Sequence, residues 1–161
     1  MPESIETRKR LLPAHENHKL ISRSALDFAW MDDVPSNHIP FISAAGLLMY
    51  FEEKDVLELL NKIGERFRGA ELFFDAIPPS LSAKTLTGFK VTSSYTAPRM
   101  PWGIQTDDLY PFAMSLENVQ DATVQTYAGP YPKAMWPYNW VTKIGPIRRA
   151  FAPSLVHVVF K

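Results

Sequence analysis

Three positions have the residue types and placement for chemistry, because each lies at the carboxyl end of a strand candidate. Asp27 ends "HKLISRSALD" (18 to 27), Gly46 follows the apolar start of "PFISAAGLLMYF" (40 to 51), and Asp75 ends the run from Glu71. In open α/β sheets, ligands bind beyond the carboxyl ends of the strands, where a carboxylate or a bend in the backbone can meet them. Asp27 also has a plainer use, as the cap of the turn that follows it. The other polar residues offer less. His15, His18, His38 and His157 show no metal spacing, and His157 reads as a structural residue inside a strand. Asp32–Asp33 and Asp107–Asp108 read as caps or solvated turns. No GxSxG elbow is present, and with no cysteine there is no thiolate chemistry and no disulfide.

The elements that must hold these residues follow from periodicity. Pro2 and the acidic residues of "ESIETRKRLL" suit a helix start. Leu20 to Ser22 is a short strand candidate, "FAWMDDV" a helical turn and "PSNHIP" a loop. Pro40 to Ser43 reads as a strand, Gly46 as a break, and Leu47 to Phe51 as a turn of helix. Glu52, Glu53 and Asp55 then open a helix whose Val56, Leu59, Leu60, Ile63 and Phe67 recur at helical spacing. A short buried strand spans Glu71 to Asp75 and stops at the prolines. Helix candidates follow in "SLSAKTLTGFK" and in "TDDLYPFAMSLE", the second broken near Pro111. "QDATVQTY" alternates as a strand with Ala122, Val124 and Thr126 on one face, and "SLVHVVFK" has strong β propensity. Apolar strands separated by helices indicate a parallel α/β sheet, and the two late strands an antiparallel edge pair.

Composition sets the outer bounds. The 161 residues are 46% hydrophobic and 21% charged, in the range of globular domains. Seventeen basic residues balance seventeen acidic ones, so the cationic excess that drives nucleic-acid binding is missing. The longest apolar run falls well short of the roughly 20 residues of a membrane helix, and "MPESIETRKR" has no apolar signal-peptide core. A cytoplasmic protein, with no nucleic-acid or membrane partner, is the expectation.

The ordered phrases "MPESIETRKRLLP", "HKLISRSALDFAWMDDV" and "PFISAAGLLMYFEEKDVLELLNKIGERFRGAELFFDAI" carry a family likeness. They resemble the S-adenosylmethionine-dependent methyltransferases of the leucine carboxyl methyltransferase and tetracenomycin-type polyketide O-methyltransferase family. The likeness is densest from Pro2 to Ile77, and continues through Trp102-Gly103 and the late strands. It implies a Rossmann-like sheet of order 3-2-1-4-5-7-6, with S-adenosylmethionine as cofactor and a small-molecule acceptor bearing a carboxylate or phenolic hydroxyl. In that family a glycine-rich cofactor loop and an acidic strand end precede a "Leu-Pro-Glu"-like phrase, and here Met1 stands just before Pro2-Glu3. The resemblance thus aligns residues 1–161 with an incomplete single domain holding the equivalents of strands 3 to 7. It leaves the Pro40–Ser43 strand as an exposed apolar edge open to self-association.

By the same resemblance, "SALD" is the adenine-side segment: Asp27 would accept from the exocyclic amine beside the backbone of Ala25 and Leu26. Ala45 stands where a glutamate is usual and cannot hydrogen-bond a ribose. Gly46 would permit close backbone approach, and Tyr50 would lie near the cofactor or serve as a core residue. Tyr131, Trp136, Tyr138 and Trp140 of the aromatic segment either line an acceptor pocket or pack over the sheet. No catalytic residue is assigned. Two outcomes stand side by side: an O-methyltransferase with impaired cofactor binding, and a non-catalytic, self-associating remnant.

Overall fold

The computed structural model describes residues 2–13, 15–126, 144 and 153–161. The chain divides into two compact units, Met1–His38 and Ile39–Lys161. No helix among the described residues is long and apolar enough to cross a membrane.

The first unit holds helix α1, Pro2–Leu11, and a six-residue 3-10 helix, Phe28–Asp33. Glu3 lies in the first turn of α1 and Arg8, Lys9 and Arg10 in its last, which complements the helix dipole at both ends. The expected strand at Leu20–Ser22 does not form. Among the described residues of this unit no strand is present to satisfy their amides and carbonyls, and an isolated extended segment gains nothing from β propensity. Local polar contacts organise this stretch instead: Lys19 pairs with Asp33 at 2.7 Å, and the Trp30 indole donates to the Ala25 carbonyl at 3.0 Å.

The second unit is a four-stranded mixed sheet of order β1-β2-β4-β3: β1 Phe41–Ala44, β2 Glu71–Ala76, β3 Val119–Thr126 and β4 Ser154–Phe160. β1 and β2 are parallel, with Phe41 opposite Glu71, while β4 runs antiparallel to both β2 and β3. The expected antiparallel pairing of the late strands is therefore present. The final strand inserts between β2 and β3, the place of strand 7 in the expected order, so among the described residues the edges are β1 and β3. Among the described residues four strands, not the expected five, form the sheet.

Helix α2, Glu53–Arg66, buries Val56, Leu59, Leu60 and Ile63, with Phe67 just beyond, which is the stripe its sequence spacing prescribes. Its Gly64 is where the helix meets the sheet: a Cβ there would lie 2.7 Å from the Phe160 ring. Helix α3, Pro79–Leu86, starts on a proline at its first turn. Helix α4, Thr106–Ser115, runs unbroken through Pro111, contrary to the expected break. The burial of Leu109 and Ala113 on either side of Pro111 holds one face of α4 in the core, and this outweighs the missing amide.

The core lies on one face of the sheet. Leu72, Phe74, Val156, Val158 and Phe160 are all buried there. Trp102 sits over Phe74 at 6.2 Å between ring centres and against Phe112 of α4 at 5.6 Å. The alternate residues Phe73, Leu155, His157 and Val159 point to the opposite face and are only half buried.

Candidate functional site

The site that the second unit builds lies at the carboxyl ends of its parallel pair. β1 ends at Ala44, and the chain turns through Ala45, Gly46 and Leu47 into a 3-10 turn, Leu48–Tyr50. Gly46 has φ +62°, in the left-handed region where a side chain is strained. A Cβ at this position would meet nothing within 4 Å, so the glycine serves backbone conformation and its outer side faces open space. One strand over, Asp75 occupies the penultimate position of β2, and its Oδ1 accepts the Gly46 amide at 2.6 Å. A carboxylate bonded to a backbone amide is a short, charge-assisted contact, and it ties the two strand ends together.

Behind this turn the packing is dense. Trp102 is buried and donates its backbone amide to Met49, and Ile104 donates to Ile77. A Cβ on Gly103 would lie 2.8 Å from the Ser82 Cβ and 3.1 Å from the Pro79 Cα, so the Trp-Gly pair wedges tightly against the start of α3. Nearby, the Thr106 and Ser154 hydroxyls bond to each other at 2.8 Å, with Ser154 opposite Ala76 at the end of β2. The floor of the strand-end turn is thus rigid, apolar and internally satisfied.

The site residues expected from sequence fall in both units. Ala45 and Gly46 form the strand-end turn, and Tyr50 ends the following 3-10 turn with its side chain exposed, which excludes the core reading for Tyr50. In the first unit, Asp27 does cap: its Oδ1 accepts the Ala29 amide at 3.3 Å, while Oδ2 faces Arg23 at 3.5 Å. The Ala25 carbonyl is taken by Trp30 and the Leu26 amide by the Ser24 hydroxyl. The polar groups of this segment are therefore engaged with one another. Tyr131, Trp136, Tyr138 and Trp140 lie outside the described residues.

Two features were harder to find. The residue set drawn from resemblance omits Asp75, although its position at the end of a buried strand marks it. The Thr106–Ser154 pair has no signal in the sequence, because its partners are 48 residues apart. Elsewhere, His157 pairs with Glu71 at 2.7 Å across the half-buried face, in keeping with a structural role. No group of three or more metal-ligating side chains occurs among the described residues.

Ion pairs on the surface set the few shifted titrations. A hydrogen bond from Lys19 holds the Asp33 carboxyl below its ordinary value, and one from Lys62 does the same for Glu65. Neither pair borders the strand-end turn in sequence.

No family model matches the chain. Over 79 residues it is 33% identical to the tetracenomycin polyketide synthesis O-methyltransferase TcmP of Streptomyces glaucescens. The match takes in 49% of this chain and 29% of that protein, so it is a partial match to the family of that O-methyltransferase.

Proposed function

We propose that this chain carries the strand-4-to-strand-7 portion of an S-adenosylmethionine-dependent O-methyltransferase fold, whose acceptor is a carboxylate or phenolic hydroxyl on a small metabolite. The sheet carries this reading. Its order β1-β2-β4-β3, with β4 antiparallel between two strands that run alike, coincides with 4-5-7-6 of the sheet the resemblance implies. The partial identity to a polyketide O-methyltransferase supports the same assignment from sequence.

The residues fit the cofactor in part. The open, left-handed turn at Gly46 leaves room for a polar ligand to approach backbone, and Asp75 fixes that turn. Bound there, S-adenosylmethionine would supply an electrophilic methyl group. The protein's share of such a transfer is positioning, since aligning the two reactants removes most of the entropic cost. Ala45, however, brings no hydrogen-bonding group to a ribose, and the Asp27 carboxylate is occupied by its own cap and by Arg23. These observations favour the first of the two outcomes for the cofactor step: a methyltransferase-like chain that holds the cofactor poorly.

Titration with S-adenosylhomocysteine separates the two. Calorimetry on the 161-residue chain is expected to show no saturation in the micromolar range. Millimolar ligand followed by amide NMR is expected to shift Gly46 and Asp75. Saturable micromolar binding would overturn the impairment. Shifts confined to regions remote from the strand-end turn would overturn the methyltransferase reading of this site.

A further inference from the structure

The first unit contains an open surface cavity, all of whose lining residues are exposed, that neither the fold assignment nor the methyltransferase reading uses. It has a volume of about 360 Å³ and is lined by Arg8, Lys9, Leu12, Pro13, His15, His18 and Leu20. That volume falls in the range of small-molecule sites, about 300 to 1,000 Å³. Four of its seven lining residues are cationic or become so on protonation, and no carboxylate among the described residues lines it. The remaining three are apolar. We infer that this cavity binds a small organic anion with an apolar body, such as an aryl sulfonate, sulfate or carboxylate.

The arrangement of the charges argues for an anion. Arg8 and Lys9 come from the last turn of α1, where the carbonyl ends of the helix tolerate cations. Lys9 is partly offset by Glu6 at 3.4 Å, but among the described residues Arg8 has no carboxylate within ion-pair distance. Glu3 lies on a separate open groove that Arg8 also borders, and Glu16 between the histidines does not line the cavity. The His15 and His18 rings stack with centroids 4.7 Å apart and planes 31° from parallel. His15 Nδ1 accepts the Asn17 amide while the ring is neutral, and protonation at that nitrogen releases the amide. Two stacked imidazoles beside an arginine and a lysine repel one another once protonated. A bound anion removes that repulsion and pairs with the fork of the guanidinium. Leu12, Pro13 and Leu20 supply the apolar wall against which a planar ring can lie, and Leu12 and Leu20 are otherwise exposed.

Net charge is zero, so this is a local field, directed at one cavity and not at a polyanion. The apolar lining distinguishes it from a site for free inorganic anions.

Benzenesulfonate is the probe of choice, because its charge does not change between pH 5.5 and 8. Titrated into the 161-residue chain and followed by the imidazole resonances of His15 and His18, it is expected to bind saturably. Neutral benzenesulfonamide and inorganic sulfate should each bind at least about tenfold more weakly, one lacking the charge and the other the ring. Affinity should rise about tenfold or more as pH falls from 8 to 5.5 and the imidazoles gain protons. Arg8→Gln, an exposed substitution that keeps helix propensity, should weaken binding by about tenfold with an unchanged circular dichroism spectrum. Binding that is equal for the sulfonamide, independent of pH, or untouched by Arg8→Gln would overturn the proposal. So would the absence of any saturable shift. His18→Gln provides a second variant, expected to abolish most of the pH dependence while leaving the helix intact.

Discussion

At Gly46 and Gly64 the same residue type answers to different forces. Gly46 sits at positive φ with open space around it, so Gly46→Ala costs backbone strain alone, about 1 to 2 kcal/mol. Gly64 has ordinary helical geometry, but a methyl group would press on the Phe160 ring, and Gly64→Ala is expected to cost about 1 to 3 kcal/mol through overpacking. Urea denaturation distinguishes them if the variants are combined with Phe160→Leu, which should relieve the second cost and leave the first. Asp75→Ala removes the acceptor of the Gly46 amide and should cost about 1 to 2 kcal/mol by the same measurement. Glu65 offers a test in pH. Its folded-state pKa is lowered by the Lys62 hydrogen bond, so the pair's contribution is present above the unfolded glutamate value and is lost as pH falls through the lower folded value. Carboxyl-carbon NMR should find the Glu65 midpoint below the ordinary one, and Lys62→Met should return it there.

Among the elements, α2 was legible from sequence because its apolar spacing and its burial coincide at Val56, Leu59, Leu60 and Ile63. Leu60 is fully buried, and Leu60→Ala is expected to cost about 2 to 5 kcal/mol in thermal or urea unfolding. The break expected at Pro111 failed for a physical reason. A proline removes one amide, but the buried side chains of Leu109 and Ala113 hold one face of α4 in place. Pro111 itself is exposed, so Pro111→Ala should restore a helical hydrogen bond without loss of packing. A stability gain of about 1 kcal/mol or more is the expected outcome, bounded by the roughly 3 kcal/mol helix penalty of proline. The Leu20–Ser22 strand failed for the converse reason: a strand is stabilised by a neighbour, and the described residues of its unit form none.

For the whole molecule, the β1 edge is the feature with the largest consequence. Phe41 is 64% exposed and Ile39 72%, on and just before a strand that, among the described residues, pairs only with β2. An uncharged, partly apolar edge favours pairing with another copy. We therefore expect concentration-dependent association of this chain, which sedimentation velocity would detect and Phe41→Lys would suppress. An unchanged sedimentation coefficient across a hundredfold concentration range would refute self-association through this edge. Whatever covers Phe41, the strand-end turn on the same strand is held independently by Asp75, so Phe41→Lys should leave the Gly46 amide resonance in place.

The amino-acid sequence by itself determined the local facts: the helix at α2, the strand-like character of β1, β2, β3 and β4, the bend at Gly46, and the balance of charge. These depend on spacing and residue type within a few positions, where side-chain periodicity and backbone preference act directly. Through ordered phrases it also carried the likeness to the O-methyltransferase family. Only the tertiary structure decided that the strand order implied by the resemblance forms without a strand at Leu20–Ser22, that Asp75 holds the Gly46 turn, that Thr106 meets Ser154, and that Arg8 shares a cavity with His15 and His18. The strand order and the first two contacts join residues far apart in the chain, and the cavity depends on how α1 and the following turn come together. Their partners are chosen by which apolar faces and hydrogen-bonding edges can be satisfied together, a condition no short stretch of chain contains.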